Sequence, residues 1–227
     1  MRRSVPFALI LLTAGPALAA GDPFEDANRR VHALNLALHS YVFSPLATLY
    51  STHMPPAVRQ GITHAVANLA EPITAVSATL AGEFAQAGNA AARFAINTTL
   101  GIGGTHDAAV ALGYPRTAMG LGDALCRWGV PSGPFLMLPI FGPSTLRDAA
   151  ALAATSTALA QAVGGDALFA WSVTEHFNAY AEQHPMILRI STESLDPYAT
   201  FRSAYLQRRA AACPVDAASD ASASAED

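Results

Sequence analysis

The serine, histidine and acidic residues of this sequence do not form the patterns of hydrolytic or metal chemistry. Pro131-Ser132-Gly133 and Pro143-Ser144-Thr145 lack the full glycine frame of a GxSxG nucleophile. No HExxH motif is present, and Glu175-His176 with His184 has poor spacing for zinc ligands. The sequence therefore predicts no catalytic residue, no metal site and no cofactor.

Two features could serve phosphate binding. Gly101-Ile102-Gly103-Gly104 is glycine-rich, but no Lys-Ser/Thr follows it, so a helix stop followed by a loop is the favoured interpretation. All thirteen positively charged side chains are Arg, which binds phosphate groups bidentately, although a GC-rich genome explains the same bias. The formal net charge of −4 argues against nucleic acid as a partner, because neutralising its phosphates needs a basic surface.

The composition differs from that of an ordinary water-soluble domain. Hydrophobic residues make up 52% of the 227 residues and charged residues only 13%, whereas roughly 25% are charged in a typical soluble domain. Either an unusually large part of the protein is buried, or part of its surface faces something other than water.

The first residues have the pattern of a secretory signal peptide. Arg2 and Arg3 precede a short apolar segment, and Ala17-Leu18-Ala19 provides the small residues before a cleavage site. We therefore predict a signal peptide at 1–19 and a helical domain at 20–210. No cysteine lies near the cleavage site, so no N-terminal acyl anchor is expected. The Ala, Ser and acidic composition of 211–227 predicts a disordered tail.

Hydrophobic spacing predicts a mostly α-helical fold. Asp22-Pro23-Phe24-Glu25 has the capping pattern of a helix start, and Pro45 should end or kink that helix. Further helices are predicted from Pro56, from Pro72, over 90–100, from a cap at Ser144 to Gly164-Gly165, around 167–192 and from Pro197 to Arg209. A small hairpin is predicted near Leu136 to Ile140. Whether Cys126 and Cys213 pair stays open.

Two long uncharged stretches indicate a membrane environment. Between Arg30 and Arg59, and again from Trp128 to Leu146, the sequence has no Asp, Glu or Arg, yet prolines interrupt both stretches. Broken backbone at membrane depth must be enclosed by protein or line a wet cavity. A ring-like bundle of amphipathic helices lying in a membrane fits these stretches, but so does a large soluble α domain with an Ala-rich core.

Several short runs, taken in order over nearly the whole mature chain, resemble the MlaA (VacJ) family. They are Asp22-Pro23-Phe24-Glu25 with Asn28-Arg29, Asn68-Leu69 with Glu71-Pro72, Arg93-Phe94 with Ile96-Asn97-Thr98-Thr99-Leu100-Gly101, Trp128-Gly129-Val130 with Ser132-Gly133-Pro134-Phe135, Leu138-Pro139, Gly142-Pro143-Ser144-Thr145-Leu146-Arg147-Asp148, Asp196-Pro197-Tyr198 and Ala204-Tyr205-Leu206-Gln207-Arg208-Arg209. The lipoprotein cysteine usual in that family is missing near the predicted cleavage site.

The resemblance implies a doughnut-shaped α-helical protein in the outer membrane of a Gram-negative bacterium, without enzymatic activity. Phospholipids misplaced in the outer leaflet would enter a central amphipathic channel and pass to a soluble periplasmic carrier, which maintains lipid asymmetry. Family members also associate with trimeric porins. The alternative that the residues leave open is a soluble periplasmic lipid carrier or adaptor, and an exported phospholipase is a third, less favoured class.

The family function also suggests which residues serve it. A phospholipid crossing a channel must keep its phosphate hydrated or paired, because burying an unpaired charge costs several kcal/mol. Head-group or channel contacts are predicted for Arg147, Asp148, Asn28, Arg29 and Asn97. The alternative is a structural ion pair for Arg147 with Asp148, and helix capping or interhelical hydrogen bonds for the other three. A fixed loop at the channel mouth is predicted from Gly129, Gly133, Pro134, Pro139, Gly142 and Pro143.

Overall fold

The computed structural model describes residues 22–213 and 215–216, and most of them are helical. The predicted signal peptide and the residues from 217 onwards lie outside the described residues. In chain order the elements are α1 (Glu25–Leu38), a π-helical turn (His39–Phe43), α2 (Ser44–His53), α3 (Pro56–Leu80), α4 (Phe84–Thr99), α5 (Ala108–Ala111), α6 (Leu121–Arg127), β1 (Phe135–Leu138), β2 (Gly142–Thr145), α7 (Leu146–Val163), α8 (Gly165–Glu193) and α9 (Pro197–Ala212). The predicted fold class, mostly helical with one small hairpin, is confirmed.

α1, the π-helical turn and α2 form one continuous helical segment. The sequence predicts that Pro45 ends or kinks the first helix, but Pro45 lies in the first turn of α2, where a missing backbone N–H is tolerated. The change in winding falls just before the proline, in the π-helical turn, which inserts one extra residue into the helical ladder.

α3 and α4 form a helical hairpin with a small-residue interface. The separate helix predicted from Pro72 is wrong, because α3 runs through this proline for 25 residues. Pro72 has no backbone N–H and so removes one hydrogen bond of the helix. Packing of α3 against its neighbouring helices compensates for that loss. Ala78 and Ala90 are fully excluded from solvent, so the two helices approach closely, and Gly82 with φ +79° closes the turn between them.

The two strands form an antiparallel hairpin in which Phe135 pairs with Thr145 and Leu138 with Gly142. The hairpin is where the sequence predicts it, with its turn at 139–141. The helix cap differs by one residue. Ser144 belongs to β2, and the hydroxyl of Thr145 accepts the N–H of Asp148 at 3.4 Å to begin α7.

The C-terminal helix is tied to the rest of the protein. α9 begins at Pro197, where the Asp196 carboxylate accepts the N–H of Ala199 at 3.1 Å. A disulfide joins Cys213, directly after α9, to Cys126 in α6, which answers the question the sequence leaves open. The predicted tail boundary at 211 is therefore too early, since α9 extends to Ala212 and both Cys213 and Asp216 are buried.

The distribution of buried and exposed side chains is inverted relative to that of a typical water-soluble domain. The buried positions are chiefly Ala, such as Ala78 and Ala124, or polar and charged groups, such as Glu71 and Arg93. Large apolar side chains point outward instead: Tyr41, Phe84, Ile102 and Phe169 are each more than two thirds exposed. Among the described helices, none combines the length and the apolar character that crossing a membrane requires.

Candidate functional site

Two asparagines of α1 hold the outer edge of the β hairpin. Asn28 Nδ2 donates to the carbonyl of Phe135 at 3.1 Å, and its Oδ1 accepts the N–H of Met137 at 2.8 Å. Two helical turns later, Asn35 donates to the carbonyl of Leu138 at 2.9 Å and accepts the N–H of Ile140 at 2.8 Å. The amide side chains thus take the place of a neighbouring strand and fix the hairpin on α1.

Asn28 also joins the start of the domain to α9. Its Nδ2 lies 3.0 Å from a carboxylate oxygen of Asp22, and the Tyr198 hydroxyl donates to the same carboxylate. Burial alone would raise the pKa of Asp22, but the hydrogen bonds from Tyr198, Asn28 and the Phe24 N–H lower it below its usual value. Asn28 is therefore a buried residue whose hydrogen bonds connect α1 with the hairpin and with Asp22.

Arg29 lies on the exposed side of the same region. Its guanidinium contacts Glu25 at 2.7 Å and Asp196 at 2.8 Å, and it stacks over the Tyr198 ring at 4.5 Å. Hydrogen bonds from Arg29 and from the Ala199 N–H lower the pKa of Asp196 to about 2. Arg29 therefore connects α1 to the start of α9 through an ion pair, although its side chain is about half exposed.

Arg147 is the most completely satisfied cation among the predicted site residues. Its Nη atoms donate to Asp216 at 3.0 and 2.9 Å and to the carbonyl of Val130 at 3.0 Å, and its Nε donates to Asp148 at 3.0 Å. Only 1% of its side chain is exposed. A lipid head group could reach this guanidinium only by displacing these partners, so the structural alternative fits the geometry better.

Asp148 is the hub of this arrangement. Besides Arg147, it accepts the Tyr205 hydroxyl at 2.8 Å and Arg209 Nη2 at 3.3 Å. Arg209 in turn donates to Asp123 of α6 at 2.6 Å. The network thus connects α6, α7 and α9 beside the Cys126–Cys213 disulfide.

A second buried ionic network surrounds Asn97. Asn97 donates to Asp107 at 3.1 Å and accepts the N–H of Ala109 at 2.9 Å. Arg93, one turn earlier in α4, contacts Glu71 at 2.7 Å and Asp107 at 3.0 Å. Glu71 and Arg93 are not among the residues predicted for the site, although both stand in the family-like runs of a chain that has few charges.

The predicted loop residues all lie in or beside the hairpin. Gly129, Gly133 and Gly142 have φ between +69° and +81°, a region that side chains disfavour. A Cβ on Gly133 would also lie 3.2 Å from Leu146 Cβ. The hairpin tip reaches α8, where the Phe141 ring packs edge-on against His176 with centroids 4.5 Å apart. The loop is thus a braced unit that touches α1 on one side and α8 on the other.

A further aromatic cluster lies at the π-helical turn. His39 contacts the Tyr180 hydroxyl, and the Ser44 hydroxyl lies 2.8 Å from Nε2 of His184. Burial, and to a smaller extent the neighbouring His184, lowers the pKa of His39. The cluster fastens the π-helical turn to α8.

Fold and site together define an α-helical protein with a polar, ion-paired interior and large apolar side chains on its outside. The chain belongs to the MlaA lipoprotein family, whose model matches residues 20–212.

The chain is also similar to individual proteins. The intermembrane phospholipid transport system lipoprotein MlaA of Haemophilus influenzae is 33% identical over 195 residues, which cover 82% of this chain and 76% of the relative. An uncharacterized protein of Rickettsia felis is 39% identical over 127 residues, which are 56% of this chain and 51% of the relative. An uncharacterized protein of Rickettsia bellii is 32% identical over 197 residues, or 84% of this chain and 76% of the relative.

A solved structure is also similar. It is described by the words "structural basis for maintenance of bacterial outer membrane lipid asymmetry". The match has a TM-score of 0.74 and 29% identity, and it covers 88% of this chain and all of that chain.

Proposed function

We propose that this protein works in intermembrane phospholipid transport at the outer membrane. It takes misplaced phospholipids from the outer leaflet through a central amphipathic channel and passes them to a soluble periplasmic carrier, so that lipid asymmetry is maintained. The related Haemophilus protein is named for intermembrane phospholipid transport, and the similar solved structure concerns outer membrane lipid asymmetry.

The inverted burial is the observation that carries this proposal. In water, exposed side chains such as Phe84, Phe169 and Tyr41 would leave a large apolar surface unfavourably hydrated, at roughly 25 cal/mol per Å². Lipid acyl chains around the outside would bury these side chains, while the helices lie within the membrane without crossing it.

The hairpin is the part of the fold best suited to the channel mouth. Asn28 and Asn35 hold one edge of it, and Phe141 braces its tip on α8. Its turn residues Ile140 and Phe141 are nonetheless well exposed. An irregular segment that is fixed at its base and apolar at its tip can admit acyl chains without unfolding.

The partners belong to the same proposal. The protein delivers lipid to a periplasmic carrier and associates with trimeric porins, and it catalyses no covalent chemistry. Its localisation is the outer membrane, on the side that faces the periplasm.

Envelope fractionation tests the proposal. The protein is expressed with its own N-terminal segment in a Gram-negative host, and the membranes are washed with high salt and carbonate. Retention in the outer membrane, with phospholipid co-purifying in detergent, is the expected result. Recovery in the soluble periplasm would contradict it and favour a soluble carrier or adaptor. Fatty acid released by the purified protein would indicate a phospholipase instead.

A further inference from the structure

A cluster of polar side chains lies where α2, α3 and α8 meet. We name it the polar junction: Tyr50, Arg59, Thr63, Asn178 and Glu182. Asn178, which is buried, donates to the Thr63 hydroxyl at 3.0 Å, and the Tyr50 hydroxyl lies 3.4 Å from Asn178 Oδ1. The Thr63 hydroxyl lies 2.8 Å from Glu182 Oε1. These contacts hold the cluster in place from three helices.

Arg59 is the unusual member of the polar junction. Its Nε is buried without a hydrogen-bond partner, and within residues 22–213 and 215–216 no carboxylate forms an ion pair with its guanidinium. Arg93 and Arg147, by contrast, are surrounded by carboxylates. Arg59 as a whole is only partly buried, so the phosphate of a ligand could pair with the accessible part of its guanidinium.

The polar junction also carries a negative charge on its open side. Glu182 is exposed, and only its Oε1 takes part in hydrogen bonds with the described residues. Burial raises the pKa of Tyr50, the charge of Arg59 lowers it and the charge of Glu182 raises it. Arg59 lies one turn before Thr63 in α3, and Glu182 lies one turn after Asn178 in α8, so both charged residues lie beside the hydrogen-bonded ones. Within the described residues the two form no ion pair with each other.

Apolar side chains flank the polar junction. Leu46 and Leu49 of α2 and Val58 of α3 are each about half exposed. An amphiphilic molecule could therefore place its charged head group against the polar junction and its acyl chains against these apolar side chains.

We infer that the polar junction binds the zwitterionic head group of a phospholipid, with the phosphate at Arg59 and a primary ammonium at Glu182. The inference rests on the proposed transport function and names its substrate class: phosphatidylethanolamine in preference to phosphatidylglycerol. An anionic head group would meet the Glu182 carboxylate without a compensating positive charge. A zwitterion satisfies both charges at once, through charge-assisted hydrogen bonds.

Competition for bound lipid tests the inference. The full-length protein in detergent is incubated with equimolar phosphatidylethanolamine and phosphatidylglycerol, and the lipids that stay bound are quantified by mass spectrometry. The wild-type protein should retain about tenfold more phosphatidylethanolamine, the ratio that corresponds to roughly 1.4 kcal/mol. Arg59→Gln should lower total bound phospholipid by a similar factor, and Glu182→Gln should shift the bound lipid towards phosphatidylglycerol.

Matched controls lie on α8, the helix that carries Glu182. Arg189→Gln and Glu193→Gln remove exposed charges of α8 outside the polar junction and should change neither the amount nor the ratio. The wild-type competition needs no variant, so it decides the question even if a variant fails to fold. Excess inorganic phosphate should not displace the lipid from the wild-type protein.

The outcomes separate the two proposals. Bound phospholipid without head-group preference, unchanged by Arg59→Gln, would overturn the inference and leave the transport function standing. Displacement by inorganic phosphate would show a simple anion site and also overturn it. If the wild-type protein retains no phospholipid at all, the transport function fails and the inference falls with it.

Discussion

Arg147 and Asp216 form a bidentate ion pair although they lie 69 residues apart, with N–O distances of 3.0 and 2.9 Å. The guanidinium and the carboxylate are both buried, and Asp216 follows the end of α9 in the chain. The pair therefore closes the C-terminal end of the domain onto the start of α7, next to the disulfide of Cys213.

Arg147→Lys should destabilise the protein without changing lipid head-group preference. Lysine keeps the charge but cannot reproduce the paired contacts to Asp216 and the contact to Asp148. Because it leaves buried acceptors partly unsatisfied, we expect a loss of about 1–3 kcal/mol in the free energy of unfolding. Thermal unfolding followed by circular dichroism measures it, with Arg189→Lys as the exposed control. A lipid-binding defect in a variant of unchanged stability would restore the head-group role of Arg147.

Asn28→Ala should loosen the hairpin more than Asn35→Ala does. Asn28 is buried and its side chain also bonds Asp22, whereas the Asn35 side chain makes two hydrogen bonds with the described residues, both to the hairpin. Each lost buried hydrogen bond leaves a partner unsatisfied at about 1–3 kcal/mol. Hydrogen exchange should show faster exchange at the Met137 amide in Asn28→Ala. Asn89→Ala, which removes one exposed bond to the carbonyl of Pro115, is the control and should leave Met137 unchanged.

Removal of the disulfide should lower stability. Cys126 and Cys213 lie 87 residues apart in the chain, and bridging them restricts the unfolded ensemble. Replacing both by Ser should cost about 2–5 kcal/mol, the range seen when native disulfides are removed. Thermal unfolding with and without reductant checks it: reductant should lower the melting temperature of the wild-type protein and leave the double variant unaffected. Equal melting temperatures for all four samples would contradict a stabilising bridge.

The ion pair of Arg29 and Asp196 should make stability depend on pH in the acid range. The pKa of Asp196 falls from 3.8 to about 2 on folding, so the folded state favours the ionised carboxylate. Its contribution is full above pH 3.8 and is lost as the pH falls towards 2. The melting temperature of Asp196→Asn should therefore differ from that of the wild type at pH 6 and converge with it near pH 2. A constant difference over that range would show that the carboxylate charge plays no part.

Local signals in the sequence predict the elements well where the deciding partners are close in the chain. Asp196 caps α9 through the Ala199 N–H three residues on, and Gly142 with Pro143 marks the hairpin correctly. The prediction that a new helix starts at Pro72 is wrong, because a proline need not end a helix that packs against neighbouring helices. The spacing of hydrophobic residues alone does not reveal that support.

The contacts of the site residues are harder to predict from the sequence, because their partners are distant in the chain. Nothing near Arg147 points to Asp216, which stands in a segment whose composition predicts disorder. Asn35 resembles any polar residue of an amphipathic helix until the hairpin is placed against it. Arg59 shares the polar junction with Glu182, yet it forms no ion pair with a described carboxylate, and this arrangement is visible only in the coordinates.

The alanine interface of α3 and α4 has a consequence for tolerance to substitution. At Ala78 and Ala90, which have no exposed surface, even the two extra methyl groups of Val would force the helices apart. At Phe84 or Phe169, exchange for Leu should be nearly silent, because the surrounding medium adapts its shape and a packed neighbour does not. A saturation-mutagenesis map of folded protein should therefore place its most sensitive positions at the smallest side chains and its most permissive positions at the largest.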